Sequence, residues 1–295
     1  MKPLQTRLAP TPSGFLHLGN VFAFLVTAVE AKHRGLELRL RIDDLDRTRF
    51  RQAYLEDVFA VLEVLGIDWQ HGPHSAAEFI ADYRQELRLH QYENYLERLR
   101  AMGLVYACGC SRAEMAAHGH NSLACEAKKL PLNDSRYAWR LRLERGRALR
   151  LFDFEGQEQL VTLGEQVADP VVRRKQEQAG GPSLPAYHLA CVVDDVLHGT
   201  THVVRGVDLL ESSLLQLYIA EVLSETAFTE LHFLHHALVE GVNGQKLSKS
   251  AGDHKGSSLL ATYPTKSQLF AALGQHLGLR LNDFGDFETW WHSQT

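Results

Sequence analysis

The sequence predicts an α/β protein built on a parallel sheet, and three observations carry that reading. Near the N-terminus a short apolar strand-like segment is followed by helical apolar spacing, and the alternation then repeats. Gly or Pro punctuates each change of pattern. The composition is that of an ordinary globular chain, with 295 residues, 45% hydrophobic and 23% charged. At about 150 residues per domain the length suggests two structural units.

Residues 4–9 read as a strand that stops at Pro10, because proline lacks the donor that a central strand needs. Thr11-Pro12-Ser13-Gly14 is loop chemistry. Leu18, Val21, Phe22, Leu25, Ala28 and Val29 then recur at helical spacing, ending near Gly35. Residues 36–42 alternate as a strand does. Helices follow over about 52–65, with Val58, Phe59, Leu62 and Leu65 on one face, and about 84–101, ending at Gly66 and Gly103. Strand, helix, strand, helix makes a βαβ unit. Around Cys108 the pattern breaks, and 106–178 reads as an insertion with one alternating segment at 137–143. Gly180-Gly181-Pro182 reads as a linker. Residues 187–193 and 201–205 look like strands, 208–224 a helix, 232–239 a strand and 266–277 a helix.

No run of about 18 uncharged apolar residues exists, and Met1–Arg7 lacks the apolar core of a signal peptide. Four cysteines do not make a disulfide scaffold, so a reducing, cytoplasmic location is expected. The net charge is −5, yet residues 108–150 hold nine Lys or Arg against four Asp or Glu. A local basic face can bind phosphates on an acidic protein. Lys128, Lys129, Arg136, Arg140, Arg142, Arg145 and Arg147 are therefore candidates to track nucleic-acid phosphates, or else form a solvated face. Arg173, Arg174 and Lys175 carry the same two readings. Trp290 and Trp291 suit base stacking or core packing, and Cys191 reads as a packed thiol.

Two segments carry chemistry. The first runs from Ala9 through Pro10, Gly14 and His17 to Gly19 and Asn20, where a first strand meets a first helix. Backbone N–H groups at such a terminus suit phosphate, the glycines admit a ligand close to the backbone, and His17 adds a donor. The bland alternative is a turn whose histidine caps the helix. The second is Lys246-Leu-Ser-Lys249-Ser250 in a Gly-rich loop. Two lysines three apart can reach one polyphosphate, though such loops are also common as solvated surface.

Together the pair resembles the two signature motifs of class I aminoacyl-tRNA synthetases. The likeness extends to the glutamyl-tRNA synthetases through Arg7–Gly19, Leu40–Asp46, Tyr187–Asp195 and His202–Leu210. It implies a Rossmann-type parallel-sheet catalytic domain split by an inserted zinc-binding, acceptor-type subdomain, with a short helical C-terminal region. The expected divisions are 1–105 and 179–240 for the two catalytic halves, 106–178 for the insertion, and 241–295 for the lysine loop and C-terminal helices. It implies catalytic roles for His17, Lys246 and Lys249 on the ATP triphosphate, with Pro10, Gly14, Gly19 and Asn20 also contacting ATP and Mg²⁺ held mainly by ATP oxygens. It implies a glutamate pocket of Arg7, Ala9, Thr11, Asp43, Tyr187 and Arg205. Arginine's planar fork suits carboxylate, and an acidic group suits the ammonium. Asp43 stands where the family usually has Glu, and Cys191 where it often has Asn.

Only 45 residues follow Ser250, which resembles the glutamyl-queuosine tRNA(Asp) synthetase group, a group without an anticodon-binding domain. That resemblance implies glutamate activation without tRNA, then transfer to queuosine in the anticodon loop of tRNA(Asp), by a monomer. Cys108-Gly-Cys110 and Cys125 resemble the zinc site of that group. The family's tyrosine ligand falls at Asn121 here, so His120 is the fourth candidate ligand, nearer than His118. A decayed site with free thiols is the alternative. Rival functions are a truncated glutamyl-tRNA synthetase that charges a 3′ end, a non-catalytic tRNA-binding paralogue, and a small-molecule nucleotidyltransferase.

Overall fold

The computed structural model describes residues 3–111, 113–115, 119–164, 166–176, 184–239 and 256–294. In chain order the main elements are β1 (Gln5–Leu8), α1 (Leu18–Arg34), β2 (Glu37–Leu40), α2 (Gln52–Leu65), α3 (Leu89–Ala101) and β3 (Val105–Cys108). There follow α4 (Ser122–Ala127), β4 (Ala138–Leu141), β5 (Ala148–Asp153), β6 (Glu158–Thr162) and β7 (Val171–Arg173). The chain continues through α5 (Tyr187–His198), β8 (His202–Gly206), α6 (Leu210–Val222), β9 (His232–His236), α7 (Lys266–Leu277) and α8 (Phe284–His292). Two compact units result: Met1–Leu87 with Thr201–Asp208 and Phe233–Thr295, and Arg88–Thr200 with Leu209–His232.

The first unit is a Rossmann-like α/β layer. β1 and β2 pair in parallel, with Gln5 opposite Glu37 and Leu8 opposite Leu40. Thr201, at the start of β8, donates its N–H to the Gln5 carbonyl (2.9 Å), while its hydroxyl accepts from the Gln5 N–H (2.8 Å). β9 neighbours β8. α1 covers this sheet because Val21, Leu25, Val26 and Val29 recur at helical spacing and all reach 0% exposure. Each such aliphatic side chain contributes about 1.5–3 kcal/mol. Gly35 and Gly66 end α1 and α2 in the left-handed conformation, as the sequence anticipates. α8 closes α1 from outside, and the Trp291 indole N–H donates to buried Glu30 (2.6 Å). Trp291 is thus committed to packing rather than to stacking on a base.

The free edge of β2 is covered by residues 70–72, a contact the sequence did not announce. Leu40 N–H donates to the His71 carbonyl (2.9 Å) and Gln70 N–H to that of Leu38 (2.9 Å). Gly72, at φ +100°, lies so close that a Cβ would stand 2.0 Å from the Leu40 oxygen.

The second unit holds an antiparallel sheet, β3-β4-β7, and the hairpin β5–β6. Two sequence expectations fail here. Residues 187–193 are the first turns of helix α5, not a strand. Leu189 to Asp195 are all buried, so the 3.6-residue period is hidden in a continuous apolar run that includes β-branched Val192 and Val193. Cys191 lies in this core at 3% exposure. The helix expected over 84–101 begins as an α-helix only at Leu89, after a short 3₁₀ segment over Gln85–Arg88. Buried Asp44 accepts the Gln85 N–H (2.9 Å) and the Arg84 guanidinium (3.1 Å), holding that entry segment.

α5 is held on α3 by buried polar contacts. Asp194, 0% exposed, accepts from Arg88 Nε (2.7 Å) and Nη2 (3.2 Å) and from the Tyr92 hydroxyl (2.7 Å). A buried carboxylate is tolerated because it is paired and fully bonded. No helix among the described residues is long and apolar enough to cross a membrane.

Candidate functional site

The first unit gathers predicted site residues where its strands end. Asp43 follows β2, and its N–H donates to the carbonyl of Pro10, which follows β1 (3.0 Å). β8 starts level with β1 and ends in Arg205-Gly206, so Arg205 belongs to the same layer. In open α/β sheets ligands bind beyond the carboxyl ends of the strands. Arg7 and Arg205 are each 6% exposed, Ala9 is half-buried, and Thr11 is exposed. Arg205 also lies over the Phe233 ring at 5.7 Å.

Asp43 departs from the simplest expectation. Arg41 grips its carboxylate in a fork, Nε to Oδ1 at 2.9 Å and Nη2 to Oδ2 at 3.2 Å. The group expected to meet a substrate ammonium thus has a buried cation behind it. Arg41 lies two residues before Asp43, just past the end of β2, so the pair is local in the sequence.

His17 stands at the N-terminus of α1 with its backbone N–H bonded to Asn20 Oδ1 (3.0 Å). The last residue of the motif, Asn20, therefore fixes the first. Burial lowers the His17 pKa, so the imidazole is neutral at pH 7 and offers one N–H. A Cβ at Gly14 would meet no described residue within 4 Å, so packing among the described residues does not demand glycine there. Sequence reasoning missed the anchor beneath this loop. Asp57 of α2, 5% exposed, accepts the Leu16 N–H (2.9 Å), and the Phe15 ring packs edge-on against Tyr54 at 4.9 Å. Lys246 and Lys249 lie outside the described residues, as does His118. Tyr187, the first residue of α5, is 46% exposed.

The second unit brings the candidate metal ligands together. Cys108 and Cys125 sulfurs lie 3.8 Å apart, Cys110 and Cys125 3.3 Å, and His120 Nε2 lies 3.7 Å from Cys108 Sγ. All three sulfurs fall within 4.8 Å of one another. A tetrahedral zinc with Zn–S near 2.3 Å has S–S edges of about 3.8 Å, so the three thiolates fit the ion, and His120 stands next to one of them, Cys108. Asn121, at the family's tyrosine position, caps α4 by accepting the Ala124 N–H (2.9 Å). Its side-chain oxygen is therefore taken up by the helix, while His120, one residue before it, places Nε2 beside Cys108. The imidazole stacks on Tyr106 at 6.3 Å, and burial lowers its pKa, which favours the neutral form that binds metal. Burial acts to raise the Cys108 thiol, but the Cys110 N–H and Arg140 outweigh it and hold it lower than usual. Burial and the neighbouring sulfurs push Cys125 up to about 12.

The expectation that the insertion's cations track phosphates is corrected for its central members. Arg140 and Arg173 are 5% and 6% exposed. Arg173 donates to the carbonyls of Leu132, Asp134 and Tyr137 and stacks on Trp139 at 4.2 Å. Arg142 bonds Glu126 (2.7 Å), Arg147 bonds Glu221 (3.0 Å), and Lys175 donates to the carbonyls of Gly109 (2.8 Å) and Cys110 (3.0 Å). A short antiparallel sheet leaves carbonyls bare, and Arg140, Arg142, Arg173 and Lys175 satisfy some of them.

A Rossmann-like layer with a histidine motif at its first helix and a cysteine cluster in a second unit defines a class I synthetase catalytic domain. The sequence profile described as tRNA synthetases class I (E and Q), catalytic domain, matches residues 3–261. The chain belongs to that family and is a class I aminoacyl-tRNA synthetase-like ligase. It is 38% identical to the Glutamyl-Q tRNA(Asp) synthetase of Methylococcus capsulatus, over 85% of this chain and 77% of that one. It is 37% identical to the protein of the same name from Burkholderia mallei, over 96% and 91%. A solved glutamate-tRNA synthetase from Elizabethkingia anophelis superposes with a TM-score of 0.67 at 27% identity, over 87% of this chain. The chain spans about half of that enzyme, 54%.

Proposed function

We propose that this ligase activates glutamate with ATP, without needing tRNA, and transfers the glutamyl group to queuosine in the anticodon loop of tRNA(Asp). The observation that carries the reading is the strand-end constellation of Arg7, Asp43, Arg205 and the His17 loop in a chain aligned almost end to end with Glutamyl-Q tRNA(Asp) synthetases. Arg7 and Arg205 hold the two carboxylates of glutamate, with Ala9 and Thr11 lining the pocket. Asp43 meets the ammonium while Arg41 fixes its orientation. The glutamate carboxylate attacks the α-phosphorus, and pyrophosphate leaves. His17, Lys246 and Lys249 stabilise the charge that develops on the triphosphate, and Pro10, Gly14, Gly19 and Asn20 shape the cradle. Mg²⁺ rides on ATP oxygens. Queuosine then displaces AMP.

Cys108, Cys110, His120 and Cys125 hold a structural Zn²⁺ within the 106–178 insertion, closing the coordination shell with no open position. Pyrophosphate exchange tests the first step. The reading expects exchange that depends on glutamate and proceeds without tRNA; exchange that appears only when tRNA is added would contradict the tRNA-independent step. A second reading, glutamate charged to a tRNA 3′ end, draws on the 31% identity over 96% of this chain to Glutamate--tRNA ligase 2 of Syntrophus aciditrophicus. This chain covers 58% of that protein.

A further inference from the structure

Arg140 sits buried inside the second unit. It lies on β4 opposite Tyr106 of β3, and Cys108 is two residues along β3 on the same face. Only 5% of it is exposed. One guanidinium nitrogen donates to the Asp169 backbone carbonyl and another contacts the Met115 sulfur (2.9 Å), while its buried Nε has no hydrogen-bond partner. The Asp169 carboxylate is taken up elsewhere, by the Tyr106 hydroxyl (2.8 Å), the Leu143 N–H (3.3 Å) and Arg145 (3.1 Å). Among the described residues, no carboxylate bonds Arg140. Removing a full charge from water is costly unless an opposite charge meets it.

The cysteine cluster supplies that charge only when it is loaded. Three thiolates, one neutral imidazole and a divalent ion sum to −1, whereas the empty site with protonated thiols carries none. We infer that Arg140 is the buried counter-charge of the metal site, so that ion and guanidinium stabilise one another and neither is well placed alone. The same cation already acts on the Cys108 thiol. Lys175, on the Gly109 and Cys110 carbonyls, orders the turn between two ligands but is only half-buried. The inference rests on the metal site proposed above.

The test compares wild type, Arg140→Met and Arg140→Lys, each zinc-loaded and chelator-stripped. The readouts are zinc content, cobalt(II) affinity from the thiolate charge-transfer band, and melting temperature. The expected result is a 10–100-fold loss of cobalt affinity in Arg140→Met, of the size partners behind metal ligands typically show, with partial recovery in Arg140→Lys. Loaded Arg140→Met melts below loaded wild type, while stripped Arg140→Met melts at or above stripped wild type. Equal cobalt affinities, or the same melting loss in both forms, would make Arg140 a structural peg and overturn the inference. Should Arg140→Met not fold, Arg140→Gln takes its place, and cobalt affinity equal to wild type together with the same melting loss in loaded and stripped forms would overturn it. A wild-type protein that binds neither zinc nor cobalt would overturn it through the site itself, and leaves the glutamate reaction standing.

Discussion

Arginine serves the two compact units in different ways. In the first, cations near the strand ends meet carboxylates: Arg41 forks onto Asp43 and Arg84 reaches Asp44. In the second, the two buried arginines among the described residues, Arg140 and Arg173, are set against backbone carbonyls. Charge paired with charge can be oriented, as Arg41 holds the Asp43 carboxylate in a fork. Charge set on carbonyls locks a backbone, which suits a unit whose sheet is short and whose core is eked out by a cysteine cluster. A basic stretch of sequence is therefore not by itself a phosphate-binding surface.

The comparison can be broken most forcefully at the cluster. Cys125→Ser removes one corner of the tetrahedron. It should abolish zinc retention and destabilise the second unit by several kcal/mol, measured by metal content and by melting. Retained zinc would mean that Cys125 is not a needed ligand, and lost zinc with unchanged melting that the second unit does not depend on its metal. Next comes a buried charge pair of that unit, Arg88 with Asp194. Asp194→Asn leaves Arg88 uncompensated and should cost about 3–5 kcal/mol in denaturant unfolding. Adding Arg88→Met should restore part of the loss, because the unpaired charge goes with it.

A smaller effect is expected from pH. His235 of the first unit stacks on Phe233 at 5.8 Å, and burial with Arg205 nearby lowers its pKa to about 4. The unfolded chain titrates near 6.5, so between pH 6.5 and 4 it binds more protons than the folded one. Stability is complete above 6.5 and falls as pH drops through that window. His235→Phe should flatten the slope without abolishing it, because His17 and His236 are shifted in the same direction by burial. An unchanged slope would place the titration elsewhere. The smallest effect belongs to the rim: Arg136 forks onto Asp134 in the open, and Arg136→Ala should leave melting unchanged.

The first half of the fold was legible because its helices are amphipathic and its strands are bounded by Pro and Gly. α1 and α2 begin and end where the spacing of Val21, Leu25 and Val29, and of Val58, Leu62 and Leu65, places them. α5 was not legible, since a helix buried on all sides over Leu189–Asp195 shows no polar face. The cysteine spacing picked out residues that meet in space, and the His17 motif marked the entry of α1. The sequence could not show that Asp57 holds Leu16, 41 residues away, or that Arg140 turns inward toward Cys108. Those depend on which strands become neighbours, and local pattern does not contain that information.

The central claim is that glutamate goes to queuosine rather than to a tRNA end. The direct measurement is transfer of labelled glutamate to purified tRNA(Asp), with and without queuosine, alongside tRNA(Glu), each then stripped of its 3′ adenosine. The account predicts label only on queuosine-containing tRNA(Asp), surviving removal of the adenosine. Label on tRNA(Glu) that leaves with the 3′ end would contradict it and make this chain a tRNA-charging synthetase.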